Sequence, residues 1–179
     1  MSDPQVQPSA SEFNQRELHM SVLMTPDMAN FSGNVHGGDF LKLLDQVAYV
    51  CAARYSGRYV VTVSVDQVTF RAPVHVGELV TFRASVNFTG TTSMEIGVRV
   101  EAESIRELTF RHVITCYFTM VAVDEDGKPV PVAPMHAETS DEKRRWAAAQ
   151  LRRAFRKEVE RRSLEIRQHP QDLLGSDTP

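Results

Sequence analysis

Residues 32–57, "SGNVHGGDFLKLLDQVAYVCAARYSG", decide the fold. The stretch reads as one helix from about Gly38 to Arg54, with Gly57 just past its end as a stop signal. Its body, residues 40 to 52, is almost wholly apolar and carries a single carboxylate, Asp45. A helix with so little polar surface suits a position inside a curled sheet better than one lying on an open face.

The flanking sequence supplies that sheet. Upstream, "HMSVLM" predicts a short strand and "TPDMANFSGN" a loop. Downstream the hydrophobic period changes from 3.6 to 2. "YVVTVSVDQVTF" predicts one strand, closed by Pro73 and Gly77. In the next, Val80, Phe82, Ala84, Val86 and Phe88 alternate with Thr81, Arg83, Ser85 and Asn87. After the turn "GTT", Met94, Ile96, Val98, Val100 and Ala102 repeat the pattern, and "LTFRHVITCYFTMVAV" is the last long strand. Long strands joined by short turns predict an antiparallel sheet, because parallel neighbours need crossovers of a dozen or more residues. The fold class expected is α+β.

Residues 1–16 are polar and proline-bearing and are expected to form a disordered tail, with the folded domain over 17–136 and a helical extension and tail over 137–179. Within the extension, residues 140–168 hold ten basic and five acidic residues around an apolar stripe of Leu151, Phe155 and Val159. A basic amphipathic helix also suits RNA or an anionic membrane, but docking of the stripe on the sheet or on a neighbouring subunit is the preferred expectation. With 42% apolar residues and a net charge of −3, the chain has material for a sizeable core and no overall basic character to favour nucleic acid. No stretch approaches the roughly 20 apolar residues that span a bilayer, and a cytoplasmic location is expected. Cys51 and Cys116 have no CxxC or Cys/His partner, so free buried thiols are expected, with no metal and no redox cofactor.

Asp45 lies at the margin of the apolar face, where desolvation has to be relieved by pairing, by protonation or by a pocket open to ligand and water. An ion pair with Lys42 at i−3 is the structural alternative to a catalytic role. The glycines of "GNVHGG" open the helix, where unpaired N–H groups carry the positive end of the dipole. Gly37 and Gly38 would let a carbonyl oxygen approach those groups closely, as an oxyanion hole requires. Their backbones stand roughly 11 Å from Asp45 along the axis, too far for one carbonyl group to touch both. If both act on one bond, a two-fold dimer that faces the helix start of one chain with Asp45 of the other solves the geometry.

The runs "MANFSGNVHGGDFLKLLDQVAYVCAARYSG", "VVTVSVDQVTFRAPVHVGELV" and "VAVDEDGKPVPV" resemble the cytosolic acyl-coenzyme A thioesterases (acyl-CoA hydrolases) of the hotdog superfamily, over about residues 18 to 134. The resemblance implies a hotdog fold, a long helix wrapped by an antiparallel sheet, with hydrolysis of acyl-CoA at a dimer interface. It implies that Asp45 stands at the family's catalytic carboxylate position, that Gly37 and Gly38 polarise the thioester carbonyl, and that an asparagine of the preceding loop takes part. Asn30 is the first choice for that asparagine and Asn34 the second. It also implies self-association, as a trimer of dimers. Asp39, in the first helical turn, is explained by the helix dipole.

On this reading Asp45 takes a proton from the attacking water, or attacks the carbonyl itself through a mixed anhydride. His36 is a further candidate, as a proton carrier. Arg54, Arg58, Arg71 and Arg83 are candidates for the phosphates of coenzyme A, which is part of the substrate. Two other readings keep the fold: an acyl-CoA-binding protein without turnover, and an enoyl-thioester hydratase. A third, RNA binding, rests on the basic C-terminal helix alone.

Overall fold

The computed structural model describes residues 15–168. The tail expected over 1–16 lies almost wholly outside these, as does the chain after residue 168. The chain divides into two compact units, Met1–Met135 and His136–Pro179.

The first unit holds five strands and one long helix: β1 (Glu17–Leu23), α1 (Gly37–Ser56), β2 (Tyr59–Val65), β3 (Leu79–Thr89), β4 (Ser93–Ser104) and β5 (Thr109–Val123). All pairings are antiparallel, in the order β1-β3-β4-β5-β2. The sheet curls around α1, which contacts every strand. From the helix, Phe40, Leu44, Val47, Ala48, Cys51 and Ala52 are buried. They meet the inward rows of the strands, among them Phe82, Ile96 and Phe118. Gly57 ends the helix in the left-handed region, at φ 63°, and its N–H donates to the Ala53 carbonyl.

Three register shifts interrupt simple alternation in the sheet, one of them at Val113 of β5, opposite Val100 and Glu101, and the other two set the surroundings of α1 and β4. The strand expected over 59–70 ends at Val65. Between Thr62 and Ser64 an extra residue, Val63, bulges out of the β2–β5 ladder. The chain then runs on beside β5 with spaced bonds, Asp66 N–H to the Tyr117 carbonyl and Arg71 N–H to that of Val113. A bulge bends and twists its strand, which breaks the continuous pairing that the apolar pattern suggests.

The second departure is a register shift between Val86 and Phe88, which puts Asn87 out of the ladder. Phe88 therefore leaves the inward row expected for it, and Asn87, expected on the polar face, is 2% exposed. Glu95, also on that face, is 3% exposed. The Ser85 hydroxyl and the Asn87 amide oxygen lie 3.0 Å apart, and Asn87 Nδ2 reaches toward Glu95 at 3.5 Å. Gly97 makes room for this group, since a Cβ there would come within 2.4 Å of Asn87 Nδ2.

The second unit is the helix α2 (Ser140–Gln168). Thr139 and Glu142 form its capping box. The Thr139 Oγ1 accepts from the Glu142 N–H at 3.2 Å, and Glu142 Oε2 accepts from the Thr139 N–H at 3.0 Å. Leu151, Phe155 and Val159 are exposed. Among the described residues no helix is long and apolar enough to cross a membrane.

Candidate active site

The site residues fall into two groups on the same chain. The first is Asp45, exposed on α1, with Thr62 on β2. The Thr62 hydroxyl donates to Asp45 Oδ1 at 2.6 Å, a short charge-assisted bond, and its Oγ1 also lies 3.4 Å from Met120 Sδ. The bulge at Val63 follows Thr62 directly, so the strand is bent at the point that presents this hydroxyl to the helix. Among the described residues no ion pair joins Asp45 to Lys42. The helix carboxylate is held by a hydroxyl and keeps its second oxygen open.

Thr62 was not legible in the sequence. In "YVVTVSV" a threonine is an ordinary strand residue, and its partner lies 17 positions away on another element.

The second group surrounds the start of α1. A cleft of about 380 Å³ is lined by Asn30, Asn34, Gly37, Phe70 and Arg71, over the buried ring of Phe40. Phe70 meets Phe40 edge-on, with centroids 5.9 Å apart. The loop that leads into the helix is tightly bonded. Asn30 Oδ1 accepts from the N–H groups of Ser32 at 2.9 Å and Asn34 at 3.1 Å, and the Asn30 N–H donates to the Asn34 carbonyl at 2.7 Å. With its oxygen accepting from two donors, Asn30 has its Nδ2 group, a donor only, left for a ligand.

The two glycines differ in role. His36 is the N-cap of α1, and its Nδ1 accepts from the Gly38 N–H at 3.0 Å. That amide is engaged within the chain. A Cβ at Gly38 would stand 3.1 Å from the same Nδ1, so Gly38 makes room for the imidazole. The Gly37 N–H donates to nothing among the described residues and is the orphan donor beside the cleft. Of the two glycines expected to meet a carbonyl oxygen, Gly38 has its amide bonded to His36 and Gly37 has no partner for its own among the described residues.

The four arginines scatter. Arg71 lines the cleft. Arg54 sits in the last turn of α1, at the far end of the helix. Arg58 lines a separate depression with Tyr59, Val61 and the turn at Asp124 to Gly127. Arg83 pairs with Glu101 at 3.0 Å on the outer surface of the sheet, where Glu101 also holds Arg99. Of the four, Arg71 is the one that lines the cleft of Asn30 and Gly37. Cys51 and Cys116 are buried, and burial pushes both thiols up to about 12. Among the described residues no cluster of three or more His, Cys, Asp or Glu side chains is arranged to hold a metal.

A curled antiparallel sheet around one long helix, with a carboxylate on the helix and amide donors at its start, defines the hotdog class and within it a site suited to thioester chemistry. The chain belongs to the thioesterase superfamily, whose family model matches residues 32–109, in the branch of the acyl-CoA thioester hydrolases. It is 45% identical to protein VdlD of Helicobacter pylori, over 86% of this chain and 92% of that one. It is 34% identical to YkhA of Bacillus subtilis, an uncharacterized acyl-CoA thioester hydrolase, over 84% and 85%. A mouse cytosolic acyl coenzyme A thioester hydrolase is 33% identical over 80% of this chain, which spans 38% of that protein.

Among solved structures, an apo-hexameric acyl-CoA thioesterase superposes with a TM-score of 0.78 at 34% identity, covering 80% of this chain and 92% of that one. The acyl-CoA hydrolase of Staphylococcus aureus, solved with butyryl coenzyme A and coenzyme A, gives 0.76 at 28%, covering 88% and 94%. Variants of that enzyme replace by alanine an asparagine, an aspartate 15 positions later and a threonine 17 positions after that. Asn30, Asp45 and Thr62 have the same spacing here.

Proposed function

We propose that the chain hydrolyses acyl-CoA thioesters to a carboxylic acid and coenzyme A, at two equivalent sites assembled by a two-fold dimer. The observation that carries this reading is the division of the chemistry into half-sites on one chain. The Asp45–Thr62 pair is not among the residues that line the cleft of Asn30 and Gly37, and that lining holds no carboxylate.

The edge strand β2 explains how the halves meet. It carries Tyr59, Val61, Val63 and Val65 exposed, at 63%, 37%, 61% and 45%. An apolar open edge is a template for another strand, and two copies pairing there about a two-fold bring their α1 helices side by side and antiparallel. The helix start of one protomer then faces Asp45 of its partner. Further assembly into a trimer of dimers is in keeping with the hexameric relatives.

In the assembled site the thioester carbonyl oxygen accepts from the Gly37 N–H and from Asn30 Nδ2, across the interface from Asp45. Asp45, held by Thr62, takes a proton from water as the water oxygen attacks the carbonyl carbon. The oxyanion is stabilised by the two donors; it collapses with cleavage of the carbon–sulfur bond, and the thiolate takes up the proton that Asp45 holds. Asn30 is preferred over Asn34 for this role because its amide oxygen is already committed to the loop, which leaves its donor for the ligand. Arg71 is the cation suited to a phosphate of the substrate, being the one arginine of the four that lines the cleft. His36 serves as a cap instead of a proton carrier. Coenzyme A enters as part of the substrate, and the scheme calls on no metal or redox group. A cytoplasmic setting agrees with the cytosolic mouse relative.

Thiol release from a panel of acyl-CoAs, short to long, tests the proposal with wild type and Asp45→Asn in parallel. Release that vanishes in the variant with the fold retained is the expected result. Tight acyl-CoA binding without release by wild type would instead mean a binding protein.

A further inference from the structure

The turn "RAPVHVGE" is tied to the catalytic loop by backbone bonds and to the sheet by side chains. The Val35 N–H donates to the Val74 carbonyl at 2.8 Å, and Asn34 and His75 form an isolated antiparallel bridge beside it. The loop that carries Asn30, Asn34 and Gly37 thus leans on residues 74–75. Those residues have no place in a regular strand, so something else must fix them.

Glu78 and Arg111 do so. The guanidinium of Arg111, at the start of β5, grips the Glu78 carboxylate with two bonds, Nη1 to Oε1 at 2.7 Å and Nη2 to Oε2 at 2.6 Å. The same Nη2 donates to the Pro73 carbonyl at 2.6 Å. Glu78 Oε2 also accepts from the His75 N–H at 2.8 Å. One charged pair therefore holds both ends of the three-residue span, residues 73–75, that supports the loop. The backbone of Glu78 is tied in turn to the end of β1, its carbonyl accepting from the Met24 N–H at 2.9 Å. The Glu78 side chain is only 10% exposed, and bonding to Arg111 holds its carboxyl below the usual range. A fork of this kind fixes direction as well as distance, which a lysine in place of the arginine would not do.

We infer that Glu78 and Arg111 are a positioning pair for the reaction, acting through residues 73–75 to hold the Asn30 and Gly37 donors where the carbonyl oxygen develops charge. The inference rests on the thioesterase reading above. Neither side chain reaches the cleft, so the pair governs the chemical step and leaves substrate binding nearly untouched. A displacement of about 1 Å in an oriented donor costs up to about 100-fold in rate.

The test uses the full chain with Glu78→Gln, which keeps an acceptor for the His75 N–H and removes the charge. It adds Arg111→Lys, which keeps a charge and removes the fork. The expected result is a fall in kcat of about 10- to 100-fold in each, with KM within about twofold. Hydrogen exchange at the Val35 amide should speed up by about tenfold or more, while amides in the middle of α1 keep their wild-type rates. Should Glu78→Gln fail to fold, Arg111→Lys carries both readouts. A kcat within twofold of wild type in the folded variants overturns the inference. So does a loss of activity matched by faster exchange throughout α1, which would mean general destabilisation. If wild type releases no thiol from any acyl-CoA, the thioesterase reading fails by itself, and unchanged exchange at Val35 in the variants then counts separately against the positioning role.

Discussion

Thr62→Val isolates the contact that joins the two elements carrying the proposed base. Valine keeps the β-branched shape that suits β2 and removes only the hydroxyl, so the strand and its bulge should persist. The bond lost is the 2.6 Å donation to Asp45 Oδ1. Hydrogen bonds to charged groups contribute about 1.5–3 kcal/mol net, and both partners are exposed in the single chain, so the lower half of that range applies. If that energy is used to aim the carboxylate at the attacking water, its loss lowers kcat by about 10- to 50-fold. Because Thr62 touches the carboxylate and not the cleft, KM for acyl-CoA should stay within about twofold. The assay is continuous thiol release at saturating acyl-CoA, with Thr62→Ser beside it. Serine keeps the hydroxyl and should retain most of the rate. A valine variant within twofold of wild type refutes the reasoning, and so does a serine variant as slow as valine.

Other consequences are as direct. The buried thiols of Cys51 and Cys116, pushed up to about 12, stay protonated in the folded chain when an unfolded thiol already ionises near 9. Their contribution to stability is therefore complete below pH 9 and is lost between pH 9 and 12, at up to about 1.4 kcal/mol per pH unit for each thiol. Urea titrations at pH 8, 9 and 10 read this slope, and at pH 8 the native protein should leave a disulfide reagent unreacted until it unfolds. Gly97→Ala sets a Cβ 2.4 Å from Asn87 Nδ2 and should destabilise the fold by about 1–3 kcal/mol. Combining it with Asn87→Ala should recover part of that loss, and strict additivity in a denaturation cycle would mean that the two do not meet. His36→Ala removes the cap on Gly38 and should cost about 1 kcal/mol, a fall of about 2–4 °C in Tm, with kcat within about threefold. An unchanged Tm with a collapsed kcat would make His36 a proton carrier.

What could be read in the sequence is what depends on the backbone period. The helix expected from Gly38 to Arg54 runs from Gly37 to Ser56, and Gly57 ends it as a left-handed cap. The alternation from Val80 to Val86 and from Met94 to Ala102 gives the inward rows of β3 and β4. The expected antiparallel pairing holds in every ladder. Side-chain direction follows a fixed geometry in helix and strand, so these features need no knowledge of distant residues. The separation of seven or eight helical positions between the glycines and Asp45 is a matter of the same period, and it is what motivates the proposal of two half-sites.

Where the chain departs from its own period, the partner strand decides. The bulges at Val63 and Asn87 exist only in the ladders with β5 and β4, and a strand read alone has no register. Side-chain partnership is also invisible locally. Asp45 sits 17 positions from Thr62, and Glu78 sits 33 from Arg111. The choice between Gly37 and Gly38 turned on which way the His36 ring points, a difference of one hydrogen bond between adjacent residues. By itself the sequence determined which elements form and which carboxylate lies among apolar residues, because propensity and period act within a few residues. Only the tertiary structure decided which hydroxyl holds that carboxylate, which amide stays open and which ion pair steadies the loop, because those contacts arise when the sheet closes around the helix.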